Sequence, residues 1–371
     1  MVLTQSLKRN GVLVLGMHRS GTSALTGVLT ALGVASPNTL ISGDEWNSRG
    51  YWESARINHF NERLLFQAGS KWNDWSHLNV DWLNSEEVAQ FSTESIALLR
   101  SEFDSEELFA IKDPRICRIV PFWIQALRKF GASPSVILVM RHPVEVAFSL
   151  HNRDQMPFID GVMLWLRSVL DAEHDSRGLR RNFTRYDDLL SDWRFTVNKL
   201  SVDLVLRWPV ALDIAAPEIE KFISADLKHN SSRSLRDIEL PNELSEWAAE
   251  VWEMVSDLAA NISDDAEFRA RFDGIRNEFD AYCLAMAGEK DTGNTILGAS
   301  RVELSEVRKK RAAKSSVWGA AGNWINNQRR YWTARFLLLA APIYSPEYAE
   351  RLRRRLTRYE AQGRIKRKTF S

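Results

Sequence analysis

Residues 12–23 read VLVLGMHRSGTS, and this stretch decides the fold of the chain. Residues 12–15 are an apolar run typical of a buried strand, and a helix is predicted over 22–32. Between the two lies a short turn bounded by Gly16 and Gly21. A strand, a tight turn and a helix together form a cradle in which backbone N–H groups and the helix dipole meet an anion. The stretch therefore predicts an anion-binding site at the start of this helix.

The turn differs from a nucleoside triphosphate loop at one decisive position. The spacing of Gly16 and Gly21 is that of the P-loop, in which a Lys follows the second Gly. Thr22 occupies that position here, and the nearest cation is Arg19, inside the turn. Hydrolysis of ATP or GTP is therefore disfavoured, and a P-loop kinase for a small molecule is the alternative enzyme.

A second strand-to-helix junction follows further along the chain. Residues 135–140 are uncharged and rich in β-branched side chains, which predicts a buried strand. Arg141 ends this strand, and a helix is predicted over 144–152. Ser149 lies eight residues after Arg141, two turns into that helix. The two side chains can therefore converge on one phosphate group.

Together, the two junctions resemble the sulfotransferases that use 3′-phosphoadenosine 5′-phosphosulfate (PAPS) as donor, of the bacterial and carbohydrate type. The resemblance covers about residues 10–285 and implies that Arg141 and Ser149 hold the donor's 3′-phosphate. It implies that Arg19 contacts the bridging and leaving oxygens, and that Tyr186 lies beside the adenine. The implied donor-binding residues are His18, Arg19, Ser20, Gly21, Thr22, Ser23, Arg141, Ser149 and Tyr186. No metal is expected.

Transfer of a sulfuryl group to a hydroxyl also needs a base. Glu53 ends the segment Gly-Tyr-Trp-Glu at 50–53, and the resemblance implies a base from this region. The alternative is a Glu that only stabilises the start of the following helix through its dipole. Asp44, Glu45 and Asp113 are the reserve candidates.

Lys112 and Asp113 follow the apolar run 108–111, at the carboxyl end of a predicted strand, where ligands bind in open α/β sheets. Cytosolic sulfotransferases carry a Lys and a catalytic His near this place, but Asp113 and Pro114 stand there in this chain. A histidine base is therefore disfavoured. Lys112 and Asp113 are kept as catalytic candidates beside Glu53 and Arg19. A Lys–Asp pair that satisfies the loop backbone is the other interpretation.

Alternating strand-like and helix-like segments predict a three-layer α/β/α fold with a central parallel sheet, similar to P-loop NTPases. The predicted strands are 12–15, 108–111, 136–140 and 182–185. The predicted helices are 22–32, 56–68, 85–101, 120–130, 144–152, 161–175, 188–205, 243–260 and 265–287. A sulfotransferase domain over 10–288, a linker over 289–300 and a basic, aromatic-containing helical tail over 301–371 complete the predicted organisation.

Charge separates the tail from the rest of the chain. Residues 301–371 hold 18 Lys and Arg against 5 Asp and Glu, whereas residues 1–300 have a net charge of −12. Such a tail favours an anionic membrane surface or a protein partner. The alternative is a helical hairpin that packs on the body and complements its acidic surface. The acidic body makes nucleic acid an unexpected partner, although a non-enzymatic membrane or nucleic-acid binder is the second alternative.

Composition gives weaker indications. Cys117 and Cys283 are too few for a disulfide framework and lack the spacing of a zinc site. Neither a signal peptide nor a membrane span is recognisable, so a cytoplasmic protein, peripheral at most, is expected. Four of the 14 Trp residues cluster within residues 46–75, and aromatic faces suit sugar rings. The expected acceptor is a hydroxyl of a glycan or glycolipid.

Overall fold

The computed structural model describes residues 9–47, 49–78, 82, 85–223, 235–261 and 264–291. Its sheet consists of β1 (Arg9–Leu15), β2 (Leu108–Lys112), β3 (Ala132–Met140) and β4 (Arg180–Arg185). The four strands are parallel and lie in the order β2-β1-β3-β4. The predicted class, a parallel sheet flanked by helices, is confirmed.

The helices alternate with the strands along the chain. They are α1 (Thr22–Ala31), α2 (Ala55–Gln67), α3 (Glu86–Phe103), α4 (Val120–Phe130), α5 (Pro143–Asp154), α6 (Phe158–Asp175), α7 (Tyr186–Ser191), α8 (Trp193–Leu204), α9 (Leu212–Phe222), α10 (Asn242–Ala259) and α11 (Ala266–Asp291). A 3₁₀ helix at Pro114–Arg118 follows β2, and another spans Leu235–Asp237.

The prediction of one helix over 188–205 is wrong. The structure has α7 and α8 there, because Asp192 ends the first helix and begins the second. The Asp192 carboxylate accepts a hydrogen bond of 2.9 Å from Phe195 N–H, which is an N-cap contact. The helix α9 was not predicted, since Pro217 inside it interrupts the helical pattern.

The order of the strands places the ligand crevice at the carboxyl end of β1. The chain leaves β1 for β2 on one side and later forms β3 on the other side of β1. Ligands of open α/β sheets bind where the strand order reverses in this way. The loops after β1, β2 and β3 therefore meet at one edge of the sheet.

Both faces of the sheet are buried, as expected for parallel strands. Val12, Val14 and Val139 face a core shared with α1, α8 and α9. Leu13 and Leu15 alternate with these residues and are fully buried on the opposite face. This packing holds the strand ends, and hence the loops that follow them, in fixed positions.

The chain divides into two compact units. The first comprises residues up to Ala259 together with Arg269–Glu278, and it contains the sheet and all the residues predicted for the site. Among the described residues, the second comprises 260–261, 264–268 and 279–291. Within the second unit, Asp265 accepts a 2.9 Å hydrogen bond from Phe268 N–H at the start of α11.

The predicted tail lies outside the described residues. Helix α11 ends at Asp291, and residues 292–371 are not described, so the linker and the helical tail remain predictions. Among the described helices, none has both the length and the apolar character that crossing a bilayer requires.

Gly16 is required at the end of β1, and replacing it with Ala is expected to destabilise the fold. Its φ is +147°, and an added Cβ would lie 2.5 Å from the Val139 carbonyl oxygen, which belongs to the backbone of β3. We expect Gly16→Ala to lower the free energy of unfolding by about 2–4 kcal/mol, measured by urea denaturation. Gly178→Ala is the matched control, because Gly178 also has a positive φ but open space around it. Equal losses in the two variants would contradict the steric argument.

Candidate active site

The turn between β1 and α1 is shaped to receive an anion. Arg19 and Gly21 have φ values of +70° and +91°, and Gly21 is the residue that precedes α1. The Gly16 N–H donates to the buried Cys117 Sγ over 3.1 Å. The first hydrogen bond within α1 runs from Leu25 N–H to Gly21 O, so the N–H groups of residues 22–24 have no carbonyl partner in the helix. These groups form the positive end of the helix dipole.

A cleft of about 380 Å³ opens above this turn. Ten of the residues predicted for the site line it: His18, Arg19, Gly21, Thr22, Ser23, Glu53, Lys112, Arg141, Ser149 and Tyr186. The sequence-predicted donor loop, the end of β2 and the junction after β3 thus meet around one space.

Ser20, Asp113 and the reserve candidate Asp44 are predicted residues that do not line the cleft. Ser20 is buried beneath the turn, where its N–H donates to Met17 O over 3.1 Å. Asp113 is buried and caps the 3₁₀ helix after β2 by accepting from Arg115 N–H over 3.0 Å. Its other carboxylate oxygen accepts from Asn61 Nδ2 over 2.9 Å. Asp113 therefore has a structural position in the described part of the chain, but Lys112 pairs with Glu53 rather than with Asp113.

Arg19, Arg141 and Ser149 lie against one another. Arg19 Nε donates to Ser149 Oγ over 2.8 Å, and an Arg141 Nη donates to the Arg19 carbonyl over 3.4 Å. Arg141 also pairs with the buried Glu145 through a 2.7 Å contact on Nε. Burial, and next the like charges of Arg153 and Arg141, lower the pKa of Arg19. The strand-end Arg and the helical Ser thus meet the turn, as the spacing predicted.

Lys112 and Glu53 form a buried ion pair in the cleft wall. Lys112 Nζ lies 2.5 Å from Glu53 Oε1, and the two side chains are 3% and 6% exposed. The same ammonium donates to Ser23 Oγ over 3.2 Å and to Tyr51 O over 3.0 Å. The second oxygen of Glu53 accepts from Asn58 Nδ2 over 3.0 Å. The Lys112 ammonium thus links the Glu53 carboxylate to Ser23 at the start of α1.

Asp44 stabilises the loop that precedes Glu53 through its own hydrogen bonds. The Asp44 carboxylate accepts from the N–H groups of Trp46 and Asn47, at 2.9 and 3.0 Å, and from the Tyr51 hydroxyl at 2.7 Å. The Tyr51 hydrogen bond lowers the pKa of Asp44, while burial and the same bond raise the pKa of Tyr51 to about 12. Asp44 is thereby committed to loop structure, whereas Glu45 lines the cleft.

Tyr186 and Phe222 form an aromatic wall of the cleft. An added Cβ on Gly21 would lie 2.2 Å from Tyr186 Cδ2, so the Tyr ring packs directly on the turn. The Arg141 guanidinium lies 5.2 Å from the centre of the same ring. Phe222 of α9 also lines the cleft and meets Trp52 edge to face, with ring centres 5.9 Å apart.

Several cleft residues were missed by the sequence analysis. They are Asn47, Arg49, Tyr51, Asn152, Arg153 and Phe222, whereas Trp46, which also lines the cleft, belongs to the Trp cluster noted in the sequence. Arg153 could have been found, because it lies four residues after Ser149 and so shares a face of α5. His59, which the sequence favours as a helix surface residue rather than a base, is exposed on α2. Lys228, Arg233 and Arg236 are sequence candidates for a late contact to the 3′-phosphate. The first two residues and the side chain of Arg236 lie outside the described residues.

His18 is a neutral imidazole in a cationic environment. Its ring meets Trp72 edge to face at 4.9 Å, and its buried Nε2 has no hydrogen-bond partner among the described residues. Burial, and then the positive charges of Arg115 and Arg153, hold the pKa of His18 well below its ordinary value of 6.5.

This shift predicts a dependence of stability on pH. Below pH ~6.5 the unfolded chain binds a proton at His18 while the folded protein does not, so the free energy of unfolding falls as the pH drops. We expect His18→Gln to reduce the slope between pH ~5 and ~6.5 by up to roughly 1.4 kcal/mol per pH unit, measured by urea denaturation at several pH values. Part of the slope remains, since burial also lowers the pKa of His142. An unchanged slope would show that His18 titrates normally.

Comparisons with known proteins give matches of low similarity among the solved structures. No protein-family model matches the chain, and no curated protein matches it. A sulfotransferase domain from the olefin synthase of Synechococcus PCC 7002 is 19% identical with a TM-score of 0.41, over 67% of this chain and 95% of that one. A sulfotransferase domain from the curacin biosynthetic pathway is 16% identical with a TM-score of 0.40, over 67% and 98%. At these values the likeness carries no argument about activity.

The fold and the cleft together define an α/β protein in which a turn with the glycine spacing of a P-loop, but without its Lys, borders a cleft lined by cations.

Proposed function

We propose that this protein is a sulfotransferase that moves the sulfuryl group of PAPS to a hydroxyl group. The observation that carries the proposal is the convergence of Arg19, Arg141 and Ser149 on the turn before α1, with Arg19 Nε 2.8 Å from Ser149 Oγ. The donor has two separate anionic groups, and several cations line the cleft. A kinase of the P-loop type would need a Lys where Thr22 stands.

The cleft residues divide between the two ends of the donor. In this proposal, the N–H groups at the start of α1 and the hydroxyls of Thr22 and Ser23 bind the 5′-phosphate. Arg141 and Ser149 bind the 3′-phosphate, and Tyr186 lies beside the adenine. Five cations line the cleft, Arg19, Arg49, Lys112, Arg141 and Arg153, against the carboxylates of Glu45 and Glu53. This excess of positive charge supports an anionic ligand.

The reaction is a direct transfer between two oxygens. The acceptor's hydroxyl oxygen forms a bond to sulfur, and the bond from sulfur to the 5′-phosphate oxygen breaks with its electron pair on that oxygen. Glu53 takes the hydroxyl proton and passes it to solvent. Arg19 and Lys112 stabilise the charge that develops on the leaving oxygen. The products are a sulfate ester and 3′-phosphoadenosine 5′-phosphate.

A glycan or glycolipid is proposed as the acceptor. Trp46 lines the cleft and is 42% exposed, so its ring can cover one face of a sugar. Trp75 is buried, and its Nε1 donates to Asp160 over 3.1 Å, so it contributes to packing instead. The basic residues 301–371 are proposed to contact an anionic membrane surface or a protein partner.

Ligand-dependent thermal stability tests the donor assignment. The full chain is heated with 3′-phosphoadenosine 5′-phosphate, with ATP, or with heparin at equal ionic strength. A ligand at 100 times its dissociation constant stabilises the folded protein by about 2.7 kcal/mol. A shift of the melting temperature with the bisphosphate alone supports the sulfotransferase. A shift with ATP alone would favour the kinase, and a shift with heparin alone a polyanion binder.

A further inference from the structure

The start of α2 contains an unusual polar contact. Ser54 is the N-cap and accepts a 3.0 Å hydrogen bond from Ile57 N–H, so Glu53 is the residue before the cap and Asn58 the fourth residue of the helix. In many helices these two positions are apolar and pack on each other as a hydrophobic staple. Here Asn58 Nδ2 donates instead to Glu53 Oε2 over 3.0 Å. A hydrogen bond to the Glu53 carboxylate therefore takes the place of the usual apolar contact at this helix start.

The two oxygens of Glu53 are held by donors of different kinds. Lys112 Nζ lies 2.5 Å from Oε1, and it also bonds Ser23 Oγ and Tyr51 O on the cleft side. Asn58 is not among the residues that line the cleft. Asn58 therefore donates its hydrogen bond to Oε2 from outside the cleft, whereas Lys112 contacts Oε1 from the cleft wall.

The hydrogen bonds of Glu53 to Lys112 and to Asn58 respond differently to a bound donor. In the proposed reaction, the Lys112 ammonium stabilises the leaving oxygen, which competes with its contact to Glu53. The Asn58 amide is neutral and does not line the cleft, so an anion bound there does not compete for its hydrogen bond to Glu53. Asn58 is then the contact that keeps the carboxylate in place during proton transfer.

We propose that Asn58 is a positioning residue that holds Glu53 through Oε2 while Lys112 turns to the donor. The inference rests on the proposed function, since it takes Glu53 as the base. It adds a residue that neither the sequence pattern nor the lining of the cleft identifies. An amide is suited to this task, because it donates a hydrogen bond without adding charge beside the base.

The test uses Asn58→Leu, which keeps the side-chain volume and removes the donor. Release of 3′-phosphoadenosine 5′-phosphate from PAPS is measured with an alkyl glycoside as acceptor, because its hydroxyls need a base, and with water as acceptor in parallel. We expect kcat to fall about 10- to 100-fold. The KM for PAPS stays within about two-fold, because the donor-binding residues are untouched. Ser54→Ala is the matched control, since it weakens the same helix start but leaves both donors to Glu53.

A double variant separates positioning from a structural role. In the Glu53→Gln background, Asn58→Leu should cause no further loss, because the group it positions is no longer a base. An equal loss in both backgrounds, or a similar loss in Ser54→Ala, would overturn the proposal in favour of a structural role.

Infrared difference spectra give a readout that needs no turnover. Subtracting the Glu53→Gln spectrum isolates the Glu53 carboxylate band, which should shift in Asn58→Leu and not in Ser54→Ala. An unmoved band would overturn the proposal. Failure of the bisphosphate to bind the wild-type protein would instead reject the proposed function, and the two outcomes are therefore distinguishable.

Discussion

Replacing Glu53 with Gln is expected to slow sulfuryl transfer about 10²–10⁴-fold. Gln has the shape of Glu and keeps an oxygen for Lys112 Nζ, which lies 2.5 Å from Oε1, but it cannot accept the acceptor's proton. The turn before α1 and the junction after β3 are unaffected, so binding of 3′-phosphoadenosine 5′-phosphate should persist. The rate is measured with saturating PAPS, and the affinity by thermal shift.

Glu62→Gln is the control for this experiment. Glu62 lies on the same helix, pairs with Arg115 over 2.9 Å, and is not among the residues that line the cleft. It should retain the wild-type rate. Full activity in Glu53→Gln would mean that Glu53 is not the base. Glu45 would then be the next candidate, because it lines the cleft, whereas both oxygens of Asp113 are engaged elsewhere.

The parts of the site that could be predicted depend on short-range patterns. The strand, turn and helix over 12–32 have a clear periodicity, and the eight-residue spacing from Arg141 to Ser149 is contained in one junction. The carboxyl ends of parallel strands meet at one edge of a sheet. The meeting of these two segments therefore followed from the fold class alone.

The parts that could not be predicted depend on irregular segments. The path from α1 to α2 is fixed by isolated bridges, between Ala35 and Phe109 and between Leu40 and Ser54. Neither bridge has a periodic signal in the sequence, so the 2.5 Å contact of Lys112 with Glu53 could not be foreseen. Phe222 was missed for a different reason. Pro217 interrupts the helical sequence pattern of α9, so the helix that carries Phe222 was not predicted.

The second large effect is expected at Arg141. In the proposed complex this guanidinium binds the 3′-phosphate, and hydrogen bonds to charged groups contribute about 1.5–3 kcal/mol. Arg141→Ala should therefore weaken binding of 3′-phosphoadenosine 5′-phosphate about 10- to 150-fold, measured by calorimetric titration. The rate at saturating PAPS should change less, because the 3′-phosphate is remote from the sulfur. Arg128→Ala, an exposed Arg on α4, is the control for loss of a positive charge.

A loss of affinity in Arg141→Ala has a second possible cause within the protein. Glu145 is 7% exposed and pairs with Arg141 over 2.7 Å, so the substitution leaves a buried carboxylate without its cation. Arg141→Ala combined with Glu145→Gln removes that charge. If the double variant recovers stability but not affinity, Arg141 binds the ligand directly. Recovery of both stability and affinity would show that the ion pair only supports the start of α5. An unchanged affinity in Arg141→Ala itself would contradict the assignment of the 3′-phosphate to this residue.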